Sequence, residues 1–226
     1  MPQFEQDIYA SAPLKALLAD EAVALAPVLA RCTGEHGLHL GPGAPAEPPA
    51  LPLLGHWASL RVQGGRLDGD VTGSGLEPLP FLDDAFGVVM LRHALEVSAR
   101  PEALLDEAIR VLEPGGTLAI TGIHPLGAWS PWLVWQTRTA RPHLTWPWWW
   151  RQRLAGEDME LSPQRRIGHA LPRDHASRVG ESPFGGGYVV IARKKRPSTV
   201  PLRPRPVAVP SPMPGTLASG ARRNAR

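Results

Sequence analysis

The chain has 226 residues, a single cysteine and a formal net charge of +3, enough for one sizeable domain and incompatible with an intrachain disulfide framework. From Arg193 to the last residue stand nine basic residues and no acidic one, which leaves 15 basic against 21 acidic residues elsewhere, a net of −6. The basic character therefore belongs to the tail and gives no support for a specific nucleic-acid-binding fold. No cleavable signal and no long apolar span are readable, so a soluble cytoplasmic protein is expected.

In chain order, Leu14, Leu17, Leu18, Ala22, Leu25 and Leu29 recur at helical spacing and predict a helix over Pro13 to Leu29. Leu38-His39-Leu40 is a short strand running into Gly41-Pro42-Gly43. Leu53 to Val62, with Trp57, Leu60 and Val62, reads as a weaker strand, and Gly64-Gly65 turns the chain. Arg66 to Val71 is a third strand candidate, followed by a polar loop over Thr72 to Pro78. The best specified stretch is Leu79 to Pro125. Phe86 to Leu91 is an unbroken apolar run, as in a strand covered on both faces. Pro101 opens a helix whose stripe is Leu104, Leu105, Ala108, Ile109 and Leu112, with Asp106 and Arg110 as an exposed pair four residues apart. Pro114 with Gly115-Gly116 ends it, and Thr117 to Ile123 is the next strand, completing a βαβ unit.

After Pro125 the character changes. Seven of the eight tryptophans, Trp129, Trp132, Trp135, Trp146, Trp148, Trp149 and Trp150, are interleaved with Arg138, Arg141, Arg151 and Arg153. Leu154 to Pro183 carries no clear pattern. Tyr188 to Ala192 is a last strand after Gly185-Gly186-Gly187, and the region beyond Lys195 is expected to be disordered.

Several of these pieces, in this order, resemble a class I S-adenosylmethionine (SAM) methyltransferase of the small bacterial type 11 kind. They are the Leu38 to Gly43 glycine motif, Leu79-Pro80-Phe81-Leu82-Asp83-Asp84-Ala85-Phe86, Arg92-His93-Ala94-Leu95-Glu96, and Arg110 to Leu118 (RVLEPGGTL). The resemblance spans Leu38 to Trp132. It implies a Rossmann-like, seven-stranded mixed α/β sheet flanked by helices, with SAM at the carboxyl ends of the first strands. The expected organisation is a methyltransferase-like domain over residues 1–195, with a Trp/Arg-rich cap or insertion at about 126–183, and a disordered basic Pro-rich tail over 196–226. The residues it implies for SAM are Leu40, Gly41, Gly43, Asp70, Val71, Arg92 and His93, with no metal site and a small, apolar or aromatic acceptor.

The departures from the pattern fall where the cofactor would be held. Pro45 replaces the third glycine, and His39 stands where the family has an acid. The end of the second strand, Leu60-Arg61-Val62-Gln63, offers no carboxylate for a ribose, and Gly87 replaces an Asp. The function expected from the resemblance is SAM-dependent methyl transfer; the alternative is a catalytically degenerate methyltransferase fold acting as a binding or interaction module, at a membrane surface in one version. His93, Glu96 and His124 either share a rim over a substrate or are structural. The Trp/Arg segment reads as a lid, as structural packing, or as a contact with a membrane surface.

Overall fold

The computed structural model describes residues 8–42, 53–137, 142–177 and 181–196. The elements are α1 (Ala12–Leu29), β1 (Gly34–Gly41), β2 (Leu54–Gln63), β3 (Arg66–Gly69), β4 (Gly73–Ser74), β5 (Phe86–Arg92), α2 (Ala94–Val97), α3 (Pro101–Val111), β6 (Leu112–Ile123), α4 (Trp129–Gln136), α5 (Pro147–Ala155), β7 (Met159–Leu161), β8 (Arg165–Ile167) and β9 (Gly187–Lys194). The tail beyond Arg196, and with it Gly43, Pro45, Arg138 and Arg141, lies outside the described residues.

The strands form one mixed sheet in the order β4-β3-β2-β1-β5-β6-β9-β7, with β8 also paired to β9. This corrects the expected seven strands to nine. The two-residue β4 and the three-residue β8 are too short to leave a periodic signature in sequence. The pairs β1–β2, β1–β5 and β5–β6 are parallel, whereas β3 and β9 run antiparallel to their neighbours. β5 is buried along Phe86 to Leu91 because helices cover both faces of the sheet. Val89 and Leu91 face one core with Leu104, Leu105, Ala108 and Trp150, on the side of α3 and α5. Val88 and Met90 face the other, with Leu14, Leu17, Leu25 and Trp129, on the side of α1 and α4.

The Leu79 to Phe86 loop is fixed by side chains of α3. Arg110 donates to the carbonyls of Leu79 and Phe81, both at 3.0 Å, and pairs with Asp83 at 2.5 Å and Glu107 at 2.7 Å. Glu107 in turn accepts the Leu79 N–H at 2.8 Å. The exposed Asp106–Arg110 pair expected from spacing is therefore not formed: Arg110 turns to the loop, and Asp106 pairs with Arg153 of α5 at 2.7 Å. Asp83 and Asp84 serve separate ion pairs, the second with Lys194 at 2.7 Å. Gly87 has a steric cause, since a Cβ there would stand 2.5 Å from the Thr33 carbonyl where β1 begins.

The Trp/Arg segment divides by residue. Trp129 and Trp150 are core, and the Trp129 indole donates to the His169 carbonyl at 2.8 Å. Trp135, Trp146 and Trp148 are exposed. Among the described residues, no helix is long and apolar enough to cross a membrane.

Candidate functional site at the carboxyl edge of the sheet

In a parallel sheet the ligand-accessible crevice lies outside the carboxyl ends of the strands, where the strand order reverses. Here that point is the gap between β1 and β5, bordered by Gly41 and Arg92. Leu40, Gly41, Arg92 and His93 all lie at it. Leu40 is a fully buried anchor of β1. Gly41 is closely approached: an added Cβ would meet the Arg92 carbonyl at 3.1 Å and His39 Nε2 at 3.6 Å. His39 is buried, and its Nε2 has no hydrogen-bond partner among the described residues. Burial, reinforced by the nearby Arg92, pushes the His39 imidazole down to about 4, so it is neutral near pH 7.

Arg92 and His93 are committed to α1. His93 caps α2 in the left-handed region, with φ 54° and ψ 10°, a conformation that the surrounding contacts must hold in place. Its Nε2 bonds Glu21 at 2.7 Å and its Nδ1 bonds Glu96 at 2.9 Å, with all three side chains buried. Glu21 also accepts from Arg92 Nε at 3.1 Å and from the Thr121 hydroxyl at 3.0 Å. Glu96 accepts from the Tyr9 hydroxyl at 3.2 Å and from the Ile123 N–H. Burial alone would depress the His93 imidazole, but Glu21 and Glu96 outweigh it and raise it to about 10. Burial likewise opposes ionisation of Glu21, yet His93 and then Arg92 bring its carboxyl below the ordinary range. The result is a charged cluster that ties α1 to the ends of β5 and β6. Both imidazole nitrogens are consumed, so His93 presents no free atom to a ligand. His124 stands apart, sharing its Nδ1 with the backbone of Leu126.

Sequence reasoning missed Glu21, Tyr9 and Thr121. The signal for Glu21 was present: it falls on the stripe of Leu14, Leu17 and Leu25, where a carboxylate on a buried helix face requires a partner.

Asp70 and Val71 follow β3 on the outer side of β2, with Asp70 at Ser59, the residue of β2 that pairs with His39 of β1. β3 is the return strand of a hairpin, and Asp70 accepts the Ser59 N–H at 2.7 Å. Gly41 pairs with Arg61, and three residues further along β2, at Gly64, the bridging partner is Ser98. Gly64 donates to the Val97 carbonyl at 3.1 Å and Ala99 donates to the Gly64 carbonyl at 2.9 Å. Residues 97–99 are thus held against Gly64, just past the end of β2. A cleft of about 260 Å³ remains beside them, between Tyr9, Glu96, Ala99 and His143.

Among the described residues, two groups that the resemblance implies for SAM are missing: the end of β2 carries Gln63 rather than a carboxylate, and both ring nitrogens of His93 are bonded to glutamates.

A match to the family described as "Methyltransferase domain" (type 11) covers residues 56–120. No curated protein matches the chain by sequence. Among solved structures, a SAM-dependent methyltransferase from Thermotoga maritima superposes with TM-score 0.55 at 15% identity, covering 84% of this chain and 94% of that one. One from Archaeoglobus fulgidus gives 0.53 at 15% identity, covering 84% and 98%. The 1,6-didemethyltoxoflavin-N1-methyltransferase of Burkholderia thailandensis, solved with its substrate and S-adenosylhomocysteine, gives 0.52 at 13% identity, covering 84% and 81%. The chain has a class I SAM-dependent methyltransferase fold related to the type 11 family and divergent from its known members.

Proposed function

We propose that this chain is a binding module on a methyltransferase fold, with the cofactor crevice rebuilt as internal structure. The observation that carries the reading is the Gly64–Ser98 bridge, which ties residues 97–99 to the chain just past the end of β2. The fully bonded Glu21–His93–Glu96 cluster supports it, since it leaves no ring nitrogen of His93 for a ligand.

A second reading, SAM-dependent methyl transfer to a small apolar or aromatic acceptor, is favoured by two observations. His39 Nε2, beside Gly41, is a buried polar atom without a hydrogen-bond partner among the described residues. Asp68 is opposite Arg61 near the end of β2, where the ribose carboxylate is otherwise missing. SAM itself would bring the activated methyl group, so the chain would need only to orient the acceptor.

Titration calorimetry with SAM and with S-adenosylhomocysteine separates the two. The binding-module reading expects no heat from either at about 1 mM ligand. Stoichiometric binding of either would establish the cofactor site and shift the assignment to methyl transfer.

A further inference from the structure

The opposite, amino edge of the sheet carries a second cleft, open to solvent and about 290 Å³ in volume. It lies where α1 ends, with Arg31 and Cys32 just past the last helical turn. Its floor is the β6–β9 pair, in which Thr117 and Arg193 are directly opposed, so that both side chains leave the same face of the sheet. Thr33 and Ser162 complete the polar wall. Two arginines and three hydroxyl-bearing residues therefore line one space; no carboxylate is among the lining residues, and Glu160 of β7 is directly opposed to Arg193 on its other side.

The two arginines are not used up elsewhere. Arg193 donates its Nε to the Gly115 carbonyl at 2.9 Å, which fixes the guanidinium and leaves its other N–H groups. Neither Arg31 nor Arg193 takes part in an ion pair among the described residues. A third guanidinium, that of Arg196, packs against Gly115 at the same margin. Glu113 stands against Gly87 nearby, also outside any described ion pair with these arginines.

We infer that this cleft binds a small-molecule phosphate monoester. Forked guanidinium donors with flanking hydroxyls match the oxygens of a tetrahedral dianion. Val28 and Ile191 supply an apolar wall for the organic part of the ligand. The site is independent of the SAM question, because it lies at the other edge of the sheet.

The test is calorimetry of the full chain with phenyl phosphate and with inorganic phosphate at low salt. One binding site is expected for phenyl phosphate, with Kd below about 1 mM. Arg31→Gln should weaken binding about tenfold or more while leaving the thermal midpoint unchanged. Arg193→Gln should weaken it as well. Cys32, the chain's single cysteine, lines the same cleft, so its labelling by a thiol reagent should slow when phenyl phosphate is bound. No binding of either probe overturns the inference. So does binding that survives Arg31→Gln, which would place the anion on the basic tail. An RNA oligonucleotide that binds in an Arg31-dependent way while phenyl phosphate does not would overturn it in favour of a polymer.

Discussion

At the scale of single residues, the carboxyl edge turns on Glu21. Its carboxylate is fully buried and serves three donors, His93 Nε2, Arg92 Nε and the Thr121 hydroxyl. Removing one member of a buried ionic network costs far more than the network contributes relative to an apolar replacement, because the remaining charges keep their desolvation without their partner. Glu21→Ala is therefore expected to lower unfolding free energy by about 3–5 kcal/mol, read from urea denaturation with an unchanged slope. Glu21→Gln, which keeps the shape and a carbonyl acceptor, should recover part of the loss. A loss from Glu21→Ala no larger than that of an exposed substitution would show that the cluster does not hold α1 to the sheet. His39 is the contrasting residue at the same edge. It is buried without a partner for Nε2 among the described residues, and His39→Gln would test whether that nitrogen has a ligand-facing role rather than a packing one.

At the scale of elements, the bridge between Gly64 and Ser98 ties the residues after α2 to the chain just past the end of β2. Its two hydrogen bonds make a definite expectation for native-state amide exchange. The Gly64 and Ala99 amides should be protected to a degree comparable with β1 and β5, well above the two-residue edge strand β4. Exchange at Gly64 and Ala99 as fast as at β4 would mean that the segment opens readily. Much of the element pattern was legible, because its causes are local: the unbroken apolar run of β5, the Pro101 start and apolar stripe of α3, and the turn glycines before β9. The antiparallel return from β2 to β3 was also contained in the spacing. Only Gly64 and Gly65 separate β2 from β3, and a parallel crossover needs a dozen or more residues. The hairpin was therefore obligatory. What local pattern could not supply was partner choice across the chain: Glu21 meets His93 over 72 positions, and Ser98 reaches Gly64 only because α2 is a single turn.

At the scale of the whole molecule, these buried groups predict the pH dependence of folding. His93 is raised from 6.5 to about 10 by its carboxylate partners, against burial. Its contribution is fully present below pH 6.5 and is lost as pH rises toward 10, because the unfolded chain releases that proton first. His39 acts in the opposite sense. Burial lowers it to about 4, so the folded state resists a proton that the unfolded chain accepts, and stability falls as pH drops below 6.5. His124, lowered by burial and by Arg166, adds to that acid limb, and Glu21, lowered in the fold, adds to it below 4.5. Tyr188, raised by burial and by Glu96, steepens the alkaline limb above 10. Stability should therefore peak near pH 6.5, with each limb falling by up to about 1.4 kcal/mol per pH unit for each proton involved. Urea midpoints from pH 5 to 10 would trace the curve. His93→Gln should flatten the alkaline limb between 6.5 and 10, and His39→Gln the acid limb between 6.5 and 4, so each variant isolates one histidine. A wild-type profile flat from pH 6.5 to 9 would mean that His93 is not held as an imidazolium between its two glutamates, and that α1 is secured to the sheet by apolar packing alone.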